Sequence, residues 1–157
     1  MMSQAKEQTA VCLERTIPVA AEKLYRAWLD PKLMQQWMAP GDFETTRVEV
    51  DERVGGQYRI WQANPAGDEG GYEAEIIELV PNERIVFNWT FVGPDRLAGP
   101  HFDTRLTITF REGAPGVTTL TLIHERLEGL ATAMPYVAEN IRPGWDDVLD
   151  KLVALVA

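Results

Sequence analysis

Few side chains in this sequence are of a type and spacing that could perform catalysis. The chain has two histidines, His101 and His124, a single cysteine, Cys12, and a single serine, Ser3. It lacks the Gly-x-Ser-x-Gly turn of serine hydrolases and the paired Cys or His spacing of metal sites. It also lacks a glycine-rich phosphate loop followed by a helix. We therefore predict no catalytic residue, no metal ion and no cofactor.

Binding of an apolar molecule is the chemistry that the remaining residues could support. Aromatic and aliphatic side chains fall on strand and helix faces that are predicted to point inward, and pockets for small molecules are mostly apolar with a few polar anchors. The candidate ligand-binding residues are Tyr58, Ile60, Trp89, Phe91, His124, Tyr136, Trp145 and Leu149. Ordinary packing is the competing explanation for the aromatic side chains, because they dominate protein cores in any case.

His124 is the best polar candidate for a ligand-binding residue, since alternation places it on the side of the last predicted strand that is expected to face inward. Two interpretations remain open. It could be a core histidine that is hydrogen-bonded to a neighbour, as buried polar groups usually are. It could instead support acid–base chemistry with a carboxylate such as Glu75 or Glu78, whose orientation is left open by the ambiguous alternation of residues 72–80.

The C-terminal stretch from Arg142 to Ala157 must position these groups. Its apolar residues recur at helical spacing and form one broad stripe, made of Trp145, Val148, Leu149, Leu152, Val153 and Val156. A helix with such a face needs a wide apolar surface to cover. We predict that it closes the mouth of a curled sheet, and that the space left between them is the functional site. Pro143 and Gly144 predict either a helix start or a kink at that point.

The upstream chain predicts two short helices and seven strands. A strand at residues 11–17 precedes helices at 20–29 and 31–37, and Asp30-Pro31 ends the first helix and caps the second. Six more strands are predicted at residues 43–50, 57–62, 72–80, 84–92, 104–111 and 117–125, with short turns typical of antiparallel pairing. Segregated helices and strands indicate an α+β fold. The expected architecture is a curved seven-stranded antiparallel sheet wrapped on a long C-terminal helix, with two short helices after the first strand.

Length and charge limit the possible partners. The 157 residues predict a single domain over residues 10–157, after a frayed segment at residues 1–9. The formal charge of −9 argues against nucleic acid or an anionic membrane, and no window is apolar enough to insert into a bilayer. Without an apolar signal segment, a cytoplasmic monomer or homodimer is expected. Cys12 lies in an apolar first strand and is expected to be buried and inert.

Five stretches, taken in order, resemble a known family. They are YRAWLDPKLMQQWMAP (25–40), VDERVGGQYRI (50–60), PNERIVFNWTF (81–91), TRLTITF with TTLTLIHERL (104–110 and 118–127) and GWDDVLDKL (144–152). They resemble bacterial proteins similar to the C-terminal domain of the heat-shock-protein-90 ATPase activator. That family lies in the START/Bet v 1-like helix-grip superfamily, which includes polyketide cyclases and lipid carriers. Trp37-Met38 and the loop Gly93 to Asp103 depart from its pattern near the expected cavity entrance.

The resemblance and the residues together leave three functional hypotheses. The first is non-enzymatic binding of a small hydrophobic or aromatic molecule in an internal cavity. The second, implied by the resemblance alone, is a stress-response module that associates with the chaperone heat-shock protein 90. The third is an enzyme of cyclase, dehydratase or hydrolase type, which requires an ionisable group within hydrogen-bond reach of His124. A shared fold does not choose among them.

Overall fold

A computed structural model describes residues 10–96 and 101–157 of the chain, and within these ranges it confirms the predicted α+β helix-grip fold. Seven antiparallel strands form one curved open sheet in the order β1-β7-β6-β5-β4-β3-β2. The strands are β1 (Val11–Ile17), β2 (Glu44–Val50), β3 (Gln57–Ala63), β4 (Glu69–Val80), β5 (Arg84–Val92), β6 (Thr104–Glu112) and β7 (Thr118–Glu125). The predicted fraying of residues 1–9 lies outside the described residues.

Helices occur in two groups, after β1 and after β7. They are α1 (Ala21–Leu29), α2 (Pro31–Trp37), α3 (Glu128–Ala133), α4 (Pro135–Glu139) and α5 (Ile141–Val156). The predicted pair of short helices after the first strand and the long C-terminal helix are therefore confirmed.

One face of the sheet forms the hydrophobic core. Phe87 on β5 pairs with Leu106 on β6, which pairs in turn with His124 on β7, and all three side chains are fully buried. Strand alternation places Ile108 and Leu122 on the same face, also as a cross-strand pair. Buried residues of α1, α2 and α5 belong to the same core cluster, so the helices cover this face.

Asp30 fixes the corner between α1 and α2, as the sequence predicts. Its carboxylate accepts a hydrogen bond from the backbone N–H of Lys32 at 2.9 Å, and Pro31 occupies the first helical turn. The indole of Trp37 donates to the carbonyl of Ala27 at 3.0 Å. The two helices are thereby held together as one bent unit.

The C-terminal helix begins at Ile141 and not at Pro143. Pro143 is tolerated because the first N–H groups of a helix have no acceptor within the helix. Gly144 already donates to the carbonyl of Asn140 at 2.9 Å, so the helical bonding starts directly after the proline. The predicted stripe is buried at Trp145, Val148, Leu149, Leu152 and Val156, and Val153 is partly buried.

The two short helices between β7 and α5 have no counterpart in the sequence-based prediction. Met134 separates them with a non-helical φ of −138°, as expected of a residue that precedes Pro135. Helix α3 buries only Leu130, and α4 buries no residue. Neither helix has an apolar stripe, so hydrophobic periodicity does not reveal them.

Cys12 is exposed, which corrects the expectation that it is buried. Its neighbours Val11 and Leu13 take the inward positions of β1. The helices cover the opposite face of the sheet, so the outward face that carries Cys12 meets solvent.

Candidate functional site

A cavity of about 930 Å³ lies between the sheet and the helices that follow it. Its walls come from the ends of β3, β4 and β5, from the segments 40–43 and 93–95, and from residues between Met134 and Val148 in α4 and α5. The large apolar side chains of the wall include Phe43, Tyr72, Phe91, Tyr136, Trp145 and Val148. The entrance is marked by Tyr136, which is 78% exposed.

Three of the candidate ligand-binding residues line this cavity, namely Phe91, Tyr136 and Trp145. The other five are completely buried in the core and are not part of the cavity wall: Tyr58, Ile60, Trp89, His124 and Leu149.

Two of these buried residues support the wall directly. The ring of Trp89 lies 4.8 Å from that of Tyr72 and 5.7 Å from that of Trp145, measured between centroids. The ring of His124 stacks on Phe91 at 5.8 Å. Strand alternation therefore identifies correctly which side chains face the core. It does not distinguish the side chains of the cavity wall from the buried layer behind them.

The wall also contains Gln62 and Tyr72, which sequence reasoning missed. Gln62 lies on the same inward side of β3 as Tyr58 and Ile60. A polar residue at an inward position of a strand was the sequence signal that could have identified it. Tyr72 belongs to the strand whose alternation is ambiguous. The amide nitrogen of Gln62 donates to the carbonyl of Met38.

Tyr72 is a neutral hydrogen-bonding group. Desolvation raises the pKa of Tyr72 to about 12, and the nearby Gln62 side chain partly opposes this shift. Its hydroxyl keeps its proton at neutral pH. Together, Tyr72 and Gln62 could orient a polar group of a ligand in an otherwise apolar space.

His124 is held by two hydrogen bonds that define its tautomer. The indole Nε1–H of Trp145 donates to Nδ1 of His124 at 3.1 Å, so Nδ1 carries no proton. Nε2 lies 2.7 Å from Oγ1 of Thr104, and that hydroxyl donates to the carbonyl of Trp89 at 2.6 Å. Because the hydroxyl proton is already used, Nε2–H must be the donor to Thr104.

Burial lowers the pKa of His124 to about 3, so the ring is neutral under ordinary conditions. The two carboxylates considered as acid–base partners are elsewhere. Glu75 is exposed, and Glu78 pairs with Arg84, whose Nε donates to its carboxylate at 2.6 Å. In the described structure, His124 positions Trp145 and has no ionisable hydrogen-bond partner.

The charged residues of the cavity wall are mostly carboxylates. Asp42, Glu69, Asp95 and Asp147 line it together with His101, and no lysine or arginine does so among the described lining residues. Asp147 accepts from the backbone N–H of Gly41 at 2.7 Å, and this bond, followed by the interaction with Lys151, lowers the pKa of its carboxyl.

Metal ligation and membrane insertion have no support within residues 10–96 and 101–157. No group of three or more His, Cys, Asp or Glu side chains in these ranges could hold a metal ion. No helix there is both long enough and apolar enough to cross a membrane.

An antiparallel sheet covered by a C-terminal helix, with a cavity beside the start of that helix, defines a helix-grip protein. The chain belongs to the family described as Activator of Hsp90 ATPase homolog 1-like protein, whose model matches residues 18–157. This match confirms the family resemblance of the sequence.

Solved structures agree with this assignment. The fold is similar to that of protein CV1439 from Chromobacterium violaceum, with 34% identity and a TM-score of 0.77 over 94% of this chain and 96% of that one. Protein NE0264 from Nitrosomonas europaea is 21% identical, with a TM-score of 0.76 over 95% and 94% of the two chains. DynU16, a protein in the dynemicin biosynthetic locus, is 22% identical with a TM-score of 0.67, over 93% of this chain and 46% of its own. The last two likenesses concern the fold alone. No curated protein matches the chain.

Proposed function

We propose that the protein binds a small hydrophobic or aromatic molecule in the cavity beside α5, and that it does so without transforming it. The observation that carries this proposal is the volume of about 930 Å³ behind a wall of mainly aromatic and aliphatic side chains. Ligand sites usually enclose roughly 300 to 1,000 Å³ and have few polar anchors. Gln62 and Tyr72 are suitable anchors. A molecule that fills the space would supply the dispersion contacts that the wall side chains lack.

The enzyme hypothesis has less support. It needs a proton donor or acceptor that reaches the bound molecule. His124 lies behind the cavity wall, and its nitrogens are bonded to Thr104 and Trp145. A group with a pKa near 3 is also a poor base at neutral pH.

A chaperone-associated role is the second candidate, and the family description is what favours it. The test is to add the protein to heat-shock protein 90 and to measure the ATPase rate. An unchanged rate and no binding would remove this candidate and leave the ligand-binding proposal intact.

Two matched substitutions in α4 test the ligand-binding proposal. Val137 lines the cavity, whereas the adjacent Ala138 does not, and neither residue is fully buried. Val137→Trp would occupy part of the cavity, and Ala138→Trp would add the same bulk outside it. We expect Val137→Trp to weaken the binding of biphenylmethanol by about tenfold in calorimetry, equivalent to about 1.4 kcal/mol, and Ala138→Trp to leave it unchanged.

Native mass spectrometry with a panel of hydrophobic metabolites extends the test. Biphenylmethanol is a probe of shape and polarity, and the panel covers larger and more polar molecules. If neither the probe nor any panel member binds, or if both variants bind equally well, the cavity is not a ligand site.

A further inference from the structure

We infer that the natural ligand of this cavity carries a positive charge, as an ammonium group attached to an apolar body. This inference rests on the proposed function, because it assigns the charge of the molecule that the cavity takes. It is carried by the combination of unpaired carboxylates and aromatic side chains around one cavity.

Three carboxylates at the cavity are available to a ligand. Asp42, Glu69 and Asp95 are exposed and line the cavity, and none of them makes an ion pair with another described residue. Asp147 is different, since Lys151 lies 3.2 Å from its carboxylate and neutralises it. Carboxylates that border an apolar cleft attract cations and repel anions, because the low-dielectric walls focus the field.

The aromatic wall suits the same kind of ligand. Phe43, Tyr72, Phe91, Tyr136 and Trp145 all contribute to the lining. The face of an aromatic ring is negative, and it attracts an ammonium group more strongly where water is excluded. A neutral aromatic ligand would use only the packing surface of these rings, whereas a cationic one would also use their charge distribution and the carboxylates.

Three described cationic residues adjoin the cavity in space or in sequence, and each has another partner. Arg142 lies between the lining residues Ile141 and Pro143, and its Nη1 is 3.5 Å from the carbonyl oxygen of Cys12. Nζ of Lys151 donates to the carbonyls of Ala39 at 2.6 Å and Gly41 at 2.9 Å. Arg96 adjoins the cavity in sequence, but its Nη1 donates to the carbonyl of Ile60 at 2.9 Å, and its guanidinium stacks on Trp61 at 4.4 Å. None of these side chains lines the cavity. Arg96 lines a smaller pocket that shares Glu69 and Gly70 with the cavity, and its charge is paired there with Glu73 at 3.2 Å.

The beginning of α5 is a feature that favours an anion. Asn140 and Ile141 line the cavity, and a helix N-terminus carries roughly half a positive charge. Pro143, which also lines the cavity, has no N–H to offer an anion. The partial charge of one helix end is smaller than the combined charge of three free carboxylates, so the cation preference prevails.

Three probes with one skeleton measure the preference. Biphenylmethylamine is cationic, biphenylmethanol is neutral and biphenylcarboxylate is anionic at neutral pH. We expect calorimetry to give an affinity for the amine about tenfold above that for the alcohol, from the combined cation–π and ion-pair contributions. The carboxylate should bind more weakly than the alcohol. Added salt should reduce these differences, since the Debye length falls to about 3 Å at about 1 M salt.

Two triple variants assign the preference to the cavity. The first combines Asp42→Asn, Glu69→Gln and Asp95→Asn, and it should bring the amine and alcohol affinities together. The matched control combines Glu22→Gln, Glu75→Gln and Glu83→Gln, which removes the same charge from exposed sites away from the cavity. The control variant should keep the ratio of amine affinity to alcohol affinity that the native protein shows.

The outcomes separate this inference from the proposed function. If the carboxylate binds as tightly as the amine, or if the cavity variant keeps the native ratio, the charge preference is refuted, while tight binding of the alcohol still supports ligand binding. If the native protein binds none of the three probes, this inference fails, and the ligand-binding proposal fails with it when the metabolite panel also gives no binding.

Discussion

The two ring nitrogens of His124 have fixed and opposite roles in the folded protein. Nδ1 accepts from Trp145, and Nε2 donates to Thr104, at 3.1 and 2.7 Å. A second proton on the ring would have to be placed on Nδ1, where it would face another N–H group. The sequence leaves a core role and an acid–base role open for this residue, and the described contacts favour the core role, in which it holds one wall of the cavity.

Protonation of His124 should therefore couple to unfolding. The pKa is about 3 in the folded protein and near 6.5 in an unperturbed histidine, so the unfolded chain binds one more proton between these pH values. The free energy of unfolding should fall as the pH is lowered below about 6.5, with a slope that approaches 1.4 kcal/mol per pH unit. Urea titrations between pH 6.5 and about 5 measure this slope before ordinary carboxylates, with pKa values near 4, begin to titrate.

The chain provides its own control for this prediction. His124→Gln can preserve both hydrogen bonds but cannot be protonated, so its stability should be nearly independent of pH in that interval. His101→Gln alters the other histidine, which is exposed, and should keep the native slope. Equal slopes for the native protein and His124→Gln would show that His124 does not cause the acid sensitivity.

At the scale of elements, the sequence predicts most of the fold because its local patterns agree with each other. Alternation identifies the strands, and Asp30-Pro31 identifies the corner between two helices. The start of β4 is the exception, because Gly70-Gly71 looks like part of a turn although the strand begins at Glu69. The strand has glycines at these two positions because neighbouring backbone atoms lie too close to leave room for a side chain.

Gly71 is the clearest case of this close approach. Its φ is +143°, and a Cβ atom at this position would lie 2.0 Å from the carbonyl oxygen of Ile60 on β3. The same carbonyl accepts from Arg96, which limits its movement. We expect Gly71→Ala to lower the free energy of unfolding by about 3 kcal/mol or more, because the strain and the clash cannot both be relieved locally.

Gly93 is the matched control for Gly71. It also lines the cavity, but a Cβ atom there would meet nothing within 4 Å. Denaturant unfolding of Gly93→Ala should therefore stay within about 0.5 kcal/mol of the native value. If Gly71→Ala is equally harmless, β3 and β4 are not as close at this point as the structure indicates.

The site could be predicted less completely than the fold. Periodicity tells which side of a strand faces inward, and on that basis it finds Phe91, Trp145 and the buried layer behind them. It does not tell where packing stops and empty space begins, since this depends on how far α5 and the segment 40–43 lie from the sheet. Tertiary distances of this kind have no local sequence signal.

At the scale of the whole molecule, α5 connects the parts of the fold. Its Asp146 pairs with Arg15 on β1 at 2.9 Å, and Lys151 donates to Ala39 after α2 at 2.6 Å. Lys23 on α1 donates to the carbonyl of Val156 at 3.3 Å, near the end of the helix. Since exposed ion pairs contribute little, the apolar stripe must supply most of the docking energy.

Leu149 tests whether that docking holds the molecule together as one cooperative unit. Its side chain is fully buried on α5, whereas that of Val153 on the same helix is only partly buried. Leu149→Ala should lower the free energy of unfolding by about 2 to 5 kcal/mol through lost burial and a cavity, and Val153→Ala should lower it by less. If α5 is integral to the core, circular dichroism and tryptophan fluorescence should report the same transition in each protein. Trp145 on α5 lies in the same core as Trp28, Trp37 and Trp89, so all four should become exposed together. A fluorescence change in Leu149→Ala that precedes the loss of β-structure would mean instead that the helices covering the sheet loosen before the sheet unfolds, and that the core is not one cooperative unit.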